Sequence, residues 1–457
     1  MPEQYQAIVA VTVFLIVYAV IISEKIHRTV IALVGAALMV LLGILDFYDA
    51  VGHIDFNTIG LLIGMMLIVG ITRKTGVFEY LAVKSAKMAK GEPIRILAAL
   101  ALVTAVLSAF LDNVTTVLLI VPVTFAITSQ LKISPWPFLF TEILVSNIGG
   151  TATLIGDPPN IMIGSATGLG FMDFALNLTP VVAVTYVITI FLLQYIFRNQ
   201  MHTADELKSG IMQMDENKEI KDVQLLKKCL IALGLTIMGF FLHQYVHLES
   251  AVIALSGAAL LLLISREDVD DAMQTVEWPV LFFFAGLFII VGALVEVGVI
   301  ESIAKWALDV TGGNMVPTGM LILWLSAIAS SFVDNIPFVA TMIPLIQDMG
   351  RLGGIADLNF LWWCLSLGAC LGGNGTIIGA SANVVVVGMA EKRGVRMTFV
   401  GFLKLAFPLM LLSIVISTGY LLLWYYYGHL LAAVVALILA AVMAILVKLM
   451  GSRLLKV

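Results

Sequence analysis

The chain has 457 residues, of which 61% are hydrophobic and only 12% charged, with a mean hydropathy of +1.05 and a formal net charge of −5. A soluble domain of this length needs more charge to cover its surface, so the composition predicts a polytopic helical membrane protein with no nucleic-acid partner. No Walker A motif, dinucleotide fingerprint or metal-ligand spacing occurs, and three cysteines are too few for a disulfide framework. We therefore expect neither an ATP-driven pump nor an enzyme, and no cofactor.

In chain order, apolar runs predict membrane spans at 7–22, 29–45 and 57–73. Each is close to the length that a helix needs to cross a hydrocarbon core of about 30 Å. The next run, 96–131, is too long for one crossing and is interrupted at Asp112-Asn113, which indicates either two crossings or a re-entrant helical hairpin. An interrupted helix at 137–168 and a span at 176–197 come next.

The chain contains a repeat. A shift of 222 residues aligns "SAFLDNVTTVLLIVP" (108–122) with "SSFVDNIPFVATMIP" (330–344) and "GVFEYLA" (76–82) with "GVIESIA" (298–304). One residue further along, "GGTATLIGDPPN" (149–160) aligns with "GGNGTIIGASAN" (372–383). The shared residues predict two homologous halves, 1–200 and 229–427, with a second hairpin at 317–350 and a second broken helix at 359–389.

Between the halves lies a charged linker, 198–228, which we expect to be a water-exposed cytoplasmic loop. After them comes an additional span with a basic tail, 429–457. If each half contains a hairpin, 23 of the 25 Lys and Arg residues lie on one side, with only Lys305 and Arg351 outside. This distribution favours the hairpin interpretation, a cytoplasmic-membrane location and an external N-terminus. Each half then crosses five times, so the second half enters inverted, and about 11 spans result.

Polar residues interrupt the apolar runs of both halves, at membrane depths where unsatisfied hydrogen-bonding groups are unfavourable in lipid. The pairs Asp112-Asn113 and Asp334-Asn335 lie in the middle of the hairpins, and a charged group there normally faces a cavity or a partner. They either cap the second arm or cap it while binding an ion. In 147–160, glycines let the backbone leave the helix and Pro158-Pro159 delays its return. The freed carbonyl groups, hydroxyls, amides and one carboxylate suit Na⁺ or a proton.

The candidate site consists of the polar residues and glycines at these four interruptions. It comprises Asp112, Asn113, Thr115, Asn147, Gly149, Gly150, Thr151, Thr153, Gly156, Asp157, Asn160, Asp334, Asn335, Gly373, Asn374, Thr376, Ser381 and Asn383. We expect a Na⁺ ion, if present, at Asn113, Asp157 and Asn335. Glu142, in the first limb of the broken helix, is either a proton relay or a structural acid.

With these motifs the sequence resembles the ion transporter superfamily, most closely its ArsB/NhaD branch of arsenite permeases, sodium/proton antiporters and P protein relatives. The resemblance covers residues 1–427 and implies a homodimer with an elevator mechanism. In the superfamily's divalent-anion/sodium symporters the tips carry Ser-Asn-Thr, and a small neutral residue precedes Pro-Pro-Asn. Here Asp112, Asp334 and Asp157 stand at those positions. These extra carboxylates disfavour a dicarboxylate substrate and favour a cation or proton.

We therefore expect a secondary active transporter, coupled to H⁺ or Na⁺, that moves a small inorganic ion by Na⁺/H⁺ antiport or arsenite-type efflux. A soluble ATPase partner is expected only in the arsenite case. The alternatives are a sodium-coupled di- or tricarboxylate symporter, another anion symporter, or a passive anion channel. A membrane sensor that transports nothing is least favoured, because it has no need for polar interruptions in the membrane.

Overall fold

The computed structural model describes residues 3–23 and 25–454, with the side chains of 5–23, 25–243 and 246–446. Over these residues the chain is helical and forms no strand. The last three residues of the predicted basic tail, 455–457, lie outside the described residues.

The helices of the first half are α1 (Glu3–Ser23), α2 (Arg28–Leu41), α3 (Phe47–Gly52), α4 (Phe56–Arg73), α5 (Val77–Met88), α6 (Pro93–Phe110), α7 (Asn113–Gln130), α8 (Trp136–Gly150), α9 (Pro158–Thr167) and α10 (Phe171–Phe197). The linker contains two short 3₁₀ turns, Arg198–Gln200 and Glu216–Glu219, and the helix α11 (Asp205–Gln213). It is thus not the plain loop expected from its charge, and its last residues belong to the helix after it.

The second half begins at that helix. Its helices, with the additional C-terminal one, are α12 (Val223–Val246), α13 (Ser250–Ser265), α14 (Val269–Met273), α15 (Trp278–Glu296), α16 (Val299–Thr311), α17 (Met315–Phe332), α18 (Asn335–Gly353), α19 (Asn359–Gly372), α20 (Ser381–Lys392), α21 (Phe399–Tyr427) and α22 (His429–Leu454).

Helices α12–α21 repeat the order of α1–α10, and most begin at the offset of 222 or 223 residues found in the sequence. The hairpins lie at α6–α7 and α17–α18, and the broken helices at α8–α9 and α19–α20. The division of the chain into domains at 200 and 229 stays a prediction that this order supports.

Among the described residues, ten helices are long and apolar enough to cross a membrane. They include the hairpin arms α6, α7 and α17, whereas α2 and α13 are apolar but only 14 and 16 residues long. The architecture is that of a polytopic membrane transporter. That the hairpin arms turn back within the bilayer, and do not cross it, stays a prediction.

Two helices that the sequence analysis did not predict, α5 and α16, come directly after glycines in a left-handed conformation. Gly76 and Gly298 have φ values of 78° and 75°, which redirect the chain after α4 and α15. Both helices begin at the repeated Gly-Val motif, so this motif marks a sharp turn into a short helix.

The packing interleaves the two halves. Helix α2 packs on α15 and α4 on α13, each pair joining the halves. The hairpin arms α6 and α17 pack on the broken helices α8 and α19 of their own half. Helix α20 packs against α7, and α9 against α18. Each hairpin therefore lies beside the second limb of the other half's broken helix, which brings the four interruptions together.

Candidate functional site

The two hairpin tips are helix N-termini capped by their own aspartates. Asp112 accepts hydrogen bonds from the backbone N–H of Thr115 (2.8 Å) and from its hydroxyl group. Asp334 accepts one from the backbone N–H of Ile336 (3.0 Å). Leu111 and Val333, which precede them, have extended backbones, so each helix ends and restarts within two residues. The capping function considered in the sequence analysis is therefore present in both halves.

The two helix interruptions are held open by asparagine side chains. Asn160 donates to the carbonyl oxygens of Thr151 (3.1 Å) and Thr153 (2.9 Å). Asn383 donates to those of Gly373 (2.7 Å) and Thr376 (2.9 Å). Carbonyl groups that the broken helix leaves free are thus satisfied by an amide from the start of the next limb, as buried backbone groups require. These two asparagines thus hold the backbone of each interruption in place.

A chain of amides connects the first tip to the second half. Asn113 donates to the side chain of Asn147 (3.0 Å), which in turn donates to Asn374 and Asn383, both at 2.9 Å. All four side chains are buried. Because Asn113 uses its amide nitrogen in this chain, its Oδ1 oxygen is left as the acceptor.

At the second tip a carboxylate takes part instead. The amide of Asn335 lies 3.3 and 3.5 Å from the two carboxylate oxygens of Asp157, which is fully buried. Behind them, Ser366 and Cys370 contact the Oδ1 oxygen of Asn160 at 2.6 and 3.6 Å. The two half-sites therefore share a framework but differ in charge.

Both tips line one central cavity. It has a volume of about 20 Å³, which accommodates a water molecule or a bare ion. Its lining is Arg28, Leu62, Met66, Asp112, Asn113, Val114, Asp157, Pro158, Glu277, Val280, Asn335, Ile336 and Ser381. Five of these are predicted site residues, and they come from both tips and both broken helices.

Two charged residues of the cavity are absent from the sequence-based site. Arg28, which the sequence analysis assigned to a cytoplasmic loop, is the first residue of α2 and donates to Asp334 (2.9 Å) and Ser381 (2.6 Å). Glu277 immediately precedes α15. Each lies at the start of an apolar helix, where charged residues are common, so the sequence offers no signal that separates them from ordinary loop residues.

Several predicted residues lie elsewhere. A Cβ atom on Gly149 would stand 2.2 Å from the carbonyl oxygen of Ala105, and one on Gly150 would stand 2.4 Å from that of Gly156. These glycines, like Gly373, allow close packing at the interruptions and do not line the cavity.

The remaining polar candidates bind backbone or neighbouring side chains. Thr153 and Thr376 donate to the carbonyl oxygens of Ala109 and Ser331, and so tie each interruption to its own hairpin. Glu142 is buried and accepts from Thr124. It does not line the cavity, and its proton-relay role stays a prediction.

A larger cavity of about 280 Å³ adjoins the site and shares Met66 and Glu277 with it. It also contains Arg73, Thr115 and Gln274. A cavity of about 250 Å³ around His53, Asp55 and Ser165 lies at positions related to it by the repeat but shares no lining residue with the site. In this conformation the site thus adjoins one of two related cavities.

Comparison with known proteins identifies the relatives. A family model described as a citrate transporter, CitMHS, matches residues 18–368. A protein of Mycobacterium bovis named an uncharacterized transporter is 45% identical over 425 residues, covering 92% of this chain and 99% of the relative. The P protein of Sus scrofa is 36% identical over 502 residues, covering 91% of this chain but only 59% of its own length.

A solved structure shares the fold. The YdaH transporter of Alcanivorax borkumensis matches with a TM-score of 0.51 at 16% identity, covering 88% of this chain and 97% of that chain. The resemblance to ArsB/NhaD-type permeases of the ion transporter superfamily is confirmed by these relatives together. The chain is a membrane transporter that belongs to the citrate transporter family.

Proposed function

We propose that the chain is a secondary active transporter that exchanges a small monovalent cation, Na⁺ or a close analogue, for protons at the central cavity. Asp157 is the carboxylate that binds the two alternately. Asn113, Asn335 and Asp112 supply further oxygen atoms around it.

The burial of Asp157 carries this proposal. Its side chain is fully buried, and among the described residues no lysine, arginine or histidine forms an ion pair with it. Its side-chain contacts with Asn335 are long. A buried carboxylate without a counter-charge costs several kcal/mol, so the group requires a bound proton or a bound cation. This requirement is what an exchanger uses, because either ligand satisfies it and the two compete.

The composition of the cavity supports a cation over an anion. Asp112, Asp157 and Glu277 line it together with a single guanidinium, that of Arg28. Carboxylate and amide oxygens are ligands for a hard cation such as Na⁺. Arsenite bound by several thiols has less support, since Cys370 contacts this network but the cavity lining contains no cysteine. A soluble ATPase partner, which belongs to the arsenite alternative, is correspondingly disfavoured.

For the transport cycle we propose an elevator within a homodimer. The hairpins and broken helices pack on one another and form the moving part, and α2, α4, α13 and α15 belong to the scaffold. Arg28 and Glu277 lie at the starts of α2 and α15, and Glu277 is about ten residues, or about 15 Å, from the middle of α15. The site thus lies toward one end of the scaffold, which we assign to the cytoplasmic side from the distribution of basic residues.

The test uses everted membrane vesicles with a respiration-generated pH gradient. We expect Na⁺ or Li⁺, but not K⁺, to collapse the gradient, and Asp157→Asn to abolish the response. If arsenite collapses the gradient instead, Cys370→Ser and Cys364→Ser variants decide whether thiols bind it. Absence of any cation response would remove the assignment of Asp157 as a cation ligand.

A second function has one specific observation in its favour. Arg28 is a guanidinium at the cavity, and guanidinium groups bind carboxylates well. Together with the citrate transporter family model, this supports a tricarboxylate that enters accompanied by cations. Because the cavity has room for an ion only, citrate requires the tips to separate. Citrate added to the same vesicles distinguishes this alternative, since a gradient collapse with citrate but not with Na⁺ alone would favour it.

A further inference from the structure

The guanidinium of Arg28 and the carboxylate of Asp334 form an ion pair at the second hairpin tip. Their atoms are 2.9 Å apart, and the two side chains are 29% and 11% exposed. Ser381 closes the group, because its hydroxyl accepts from Arg28 at 2.6 Å and donates to Asp334 at 2.8 Å. The guanidinium also lies 5.2 Å from the centre of the Phe283 ring, so its position is fixed from both sides.

The first hairpin tip has no such partner. The residue 222 positions after Arg28 is Ser250, which is neutral, so the repeat supplies no second guanidinium. Asp112 receives hydrogen bonds from Thr115, and among the described residues it forms no ion pair with a lysine, arginine or histidine. The two tips, which have the same Asp-Asn pair, therefore differ in how the aspartate is neutralised: a resident cation neutralises only the second.

The ion pair also joins helices that the proposed elevator mechanism places in different parts of the protein. Arg28 belongs to α2, which packs on α1 and α15, whereas Asp334 and Ser381 begin α18 and α20 at the tip and the interruption. A lysine or arginine on the tip itself would move with it, but Arg28 is supplied by a different group of helices. The carboxylate of Asp334 is thus compensated by the scaffold in this conformation.

From this asymmetry we propose that Arg28 is the resident counter-ion of the second tip and takes the place of a second exchangeable cation. The protein then has one exchangeable monovalent cation site, at Asp157, which Asp112, Asn113 and Asn335 complete. Arg28 in this way determines how many cations the site takes. The inference rests on the proposed cation exchange and adds to it the number of cation sites and the residue that sets that number.

Neutralising Arg28 should create a second cation site. In Arg28→Gln the partly buried carboxylate of Asp334 loses its partner and recruits a cation from solution. In Arg28→Gln/Asp334→Asn no charge remains to be compensated, and the single exchangeable site returns. The double variant also protects the test against misfolding, because an uncompensated carboxylate is present only in the single variant.

The experiment measures thermal unfolding of the purified full chain against Na⁺ concentration, with choline replacing Na⁺ at constant ionic strength. A buffer of about pH 8.5, well above the ordinary pKa of a carboxyl group, limits competition by protons. Well above the dissociation constant, each bound ion raises the unfolding free energy by about RT per unit of ln[Na⁺]. We expect this slope to correspond to about 1 bound ion for the wild type, about 2 for Arg28→Gln and about 1 for the double variant. Arg351→Gln, which removes an exposed arginine paired with Glu301 and Asp348, is the matched control and should behave as the wild type.

The outcomes separate this inference from the proposed function. If the wild type responds to Na⁺ and Arg28→Gln responds in the same way, Arg28 does not replace a cation, although cation binding stands. If the double variant keeps the steeper response of the single variant, Asp334 is not the group that Arg28 neutralises, and the inference fails. If the wild type does not respond but Arg28→Gln does, the resident counter-ion is supported and the function needs revision. If no variant responds, both are wrong.

Discussion

Replacing Asp157 by asparagine removes one charge at nearly constant volume from the centre of the site. The side chain is fully buried, and Asn335 can still donate to the new amide oxygen. Since an uncompensated buried carboxylate costs several kcal/mol, Asp157→Asn should be no less stable than the wild type in Na⁺-free buffer. The variant should, however, lose stabilisation by Na⁺. At about 100 times the dissociation constant, a ligand that binds only the folded protein stabilises it by about 2.7 kcal/mol.

The assay is thermal unfolding of the two purified proteins with and without Na⁺, at constant ionic strength. Asp46→Asn is the matched control, because Asp46 is an exposed helix cap and asparagine caps equally well. In the wild type, a proton competes with Na⁺ for Asp157. Each unit of decrease in pH should therefore lower the apparent Na⁺ affinity by up to about tenfold, and this dependence should be absent from the variant. If Asp157→Asn keeps the full Na⁺ stabilisation, the carboxylate is not the ligand.

Three further substitutions separate the roles of the surrounding residues. Asp112→Asn preserves the cap of α7 but removes a charge from the cavity. The Na⁺ affinity should therefore fall about tenfold, or about 1.4 kcal/mol, with little change in stability in Na⁺-free buffer. An unchanged Na⁺ titration would limit Asp112 to capping. Asn147→Ala leaves buried amides without partners in both halves. It should reduce the free energy of unfolding, measured by chemical unfolding, by about 1–3 kcal/mol for each group left unsatisfied. A neutral result would mean that water replaces the amide. Gly149→Ala places a methyl group 2.2 Å from the carbonyl oxygen of Ala105 and should lower the melting temperature. The control Gly388→Ala, whose added methyl group has no atom within 4 Å, should not lower it. Equal melting temperatures would show that the hairpin arm moves away at no cost.

Much of the fold can be predicted from the sequence because the interruptions use residues with strong local preferences. Glycine and proline end and restart the broken helix at α8 and α9, and Asp112 and Asp334 start the second hairpin arms. The predicted hairpins at 96–131 and 317–350 lie within three residues of the observed outer ends of α6–α7 and α17–α18. The repeat then transfers each of these predictions to the other half.

The site is less predictable, since its charges come from distant parts of the chain. Arg28 and Asp334 are 306 residues apart, and no local pattern relates them. Glu277 and Arg28 lie at helix starts, where charged residues are ordinary. The error for the glycines was the opposite one, because they were predicted to belong to the site. They allow close packing against the hairpins, and the sequence alone does not distinguish this function from a backbone opened for a ligand. The short helices α5 and α16 were missed because 12 or 13 residues with several charges do not form a membrane span.

The central claim is that a proton and a cation compete for Asp157 during transport. Its most direct test is ²²Na⁺ uptake into proteoliposomes that contain the purified chain and are more acidic inside than outside. We predict that the pH gradient drives uptake above equilibrium in the wild type, that a protonophore abolishes it, and that Asp157→Asn shows no uptake. Uptake that is independent of the pH gradient, or that persists in Asp157→Asn, would contradict the account.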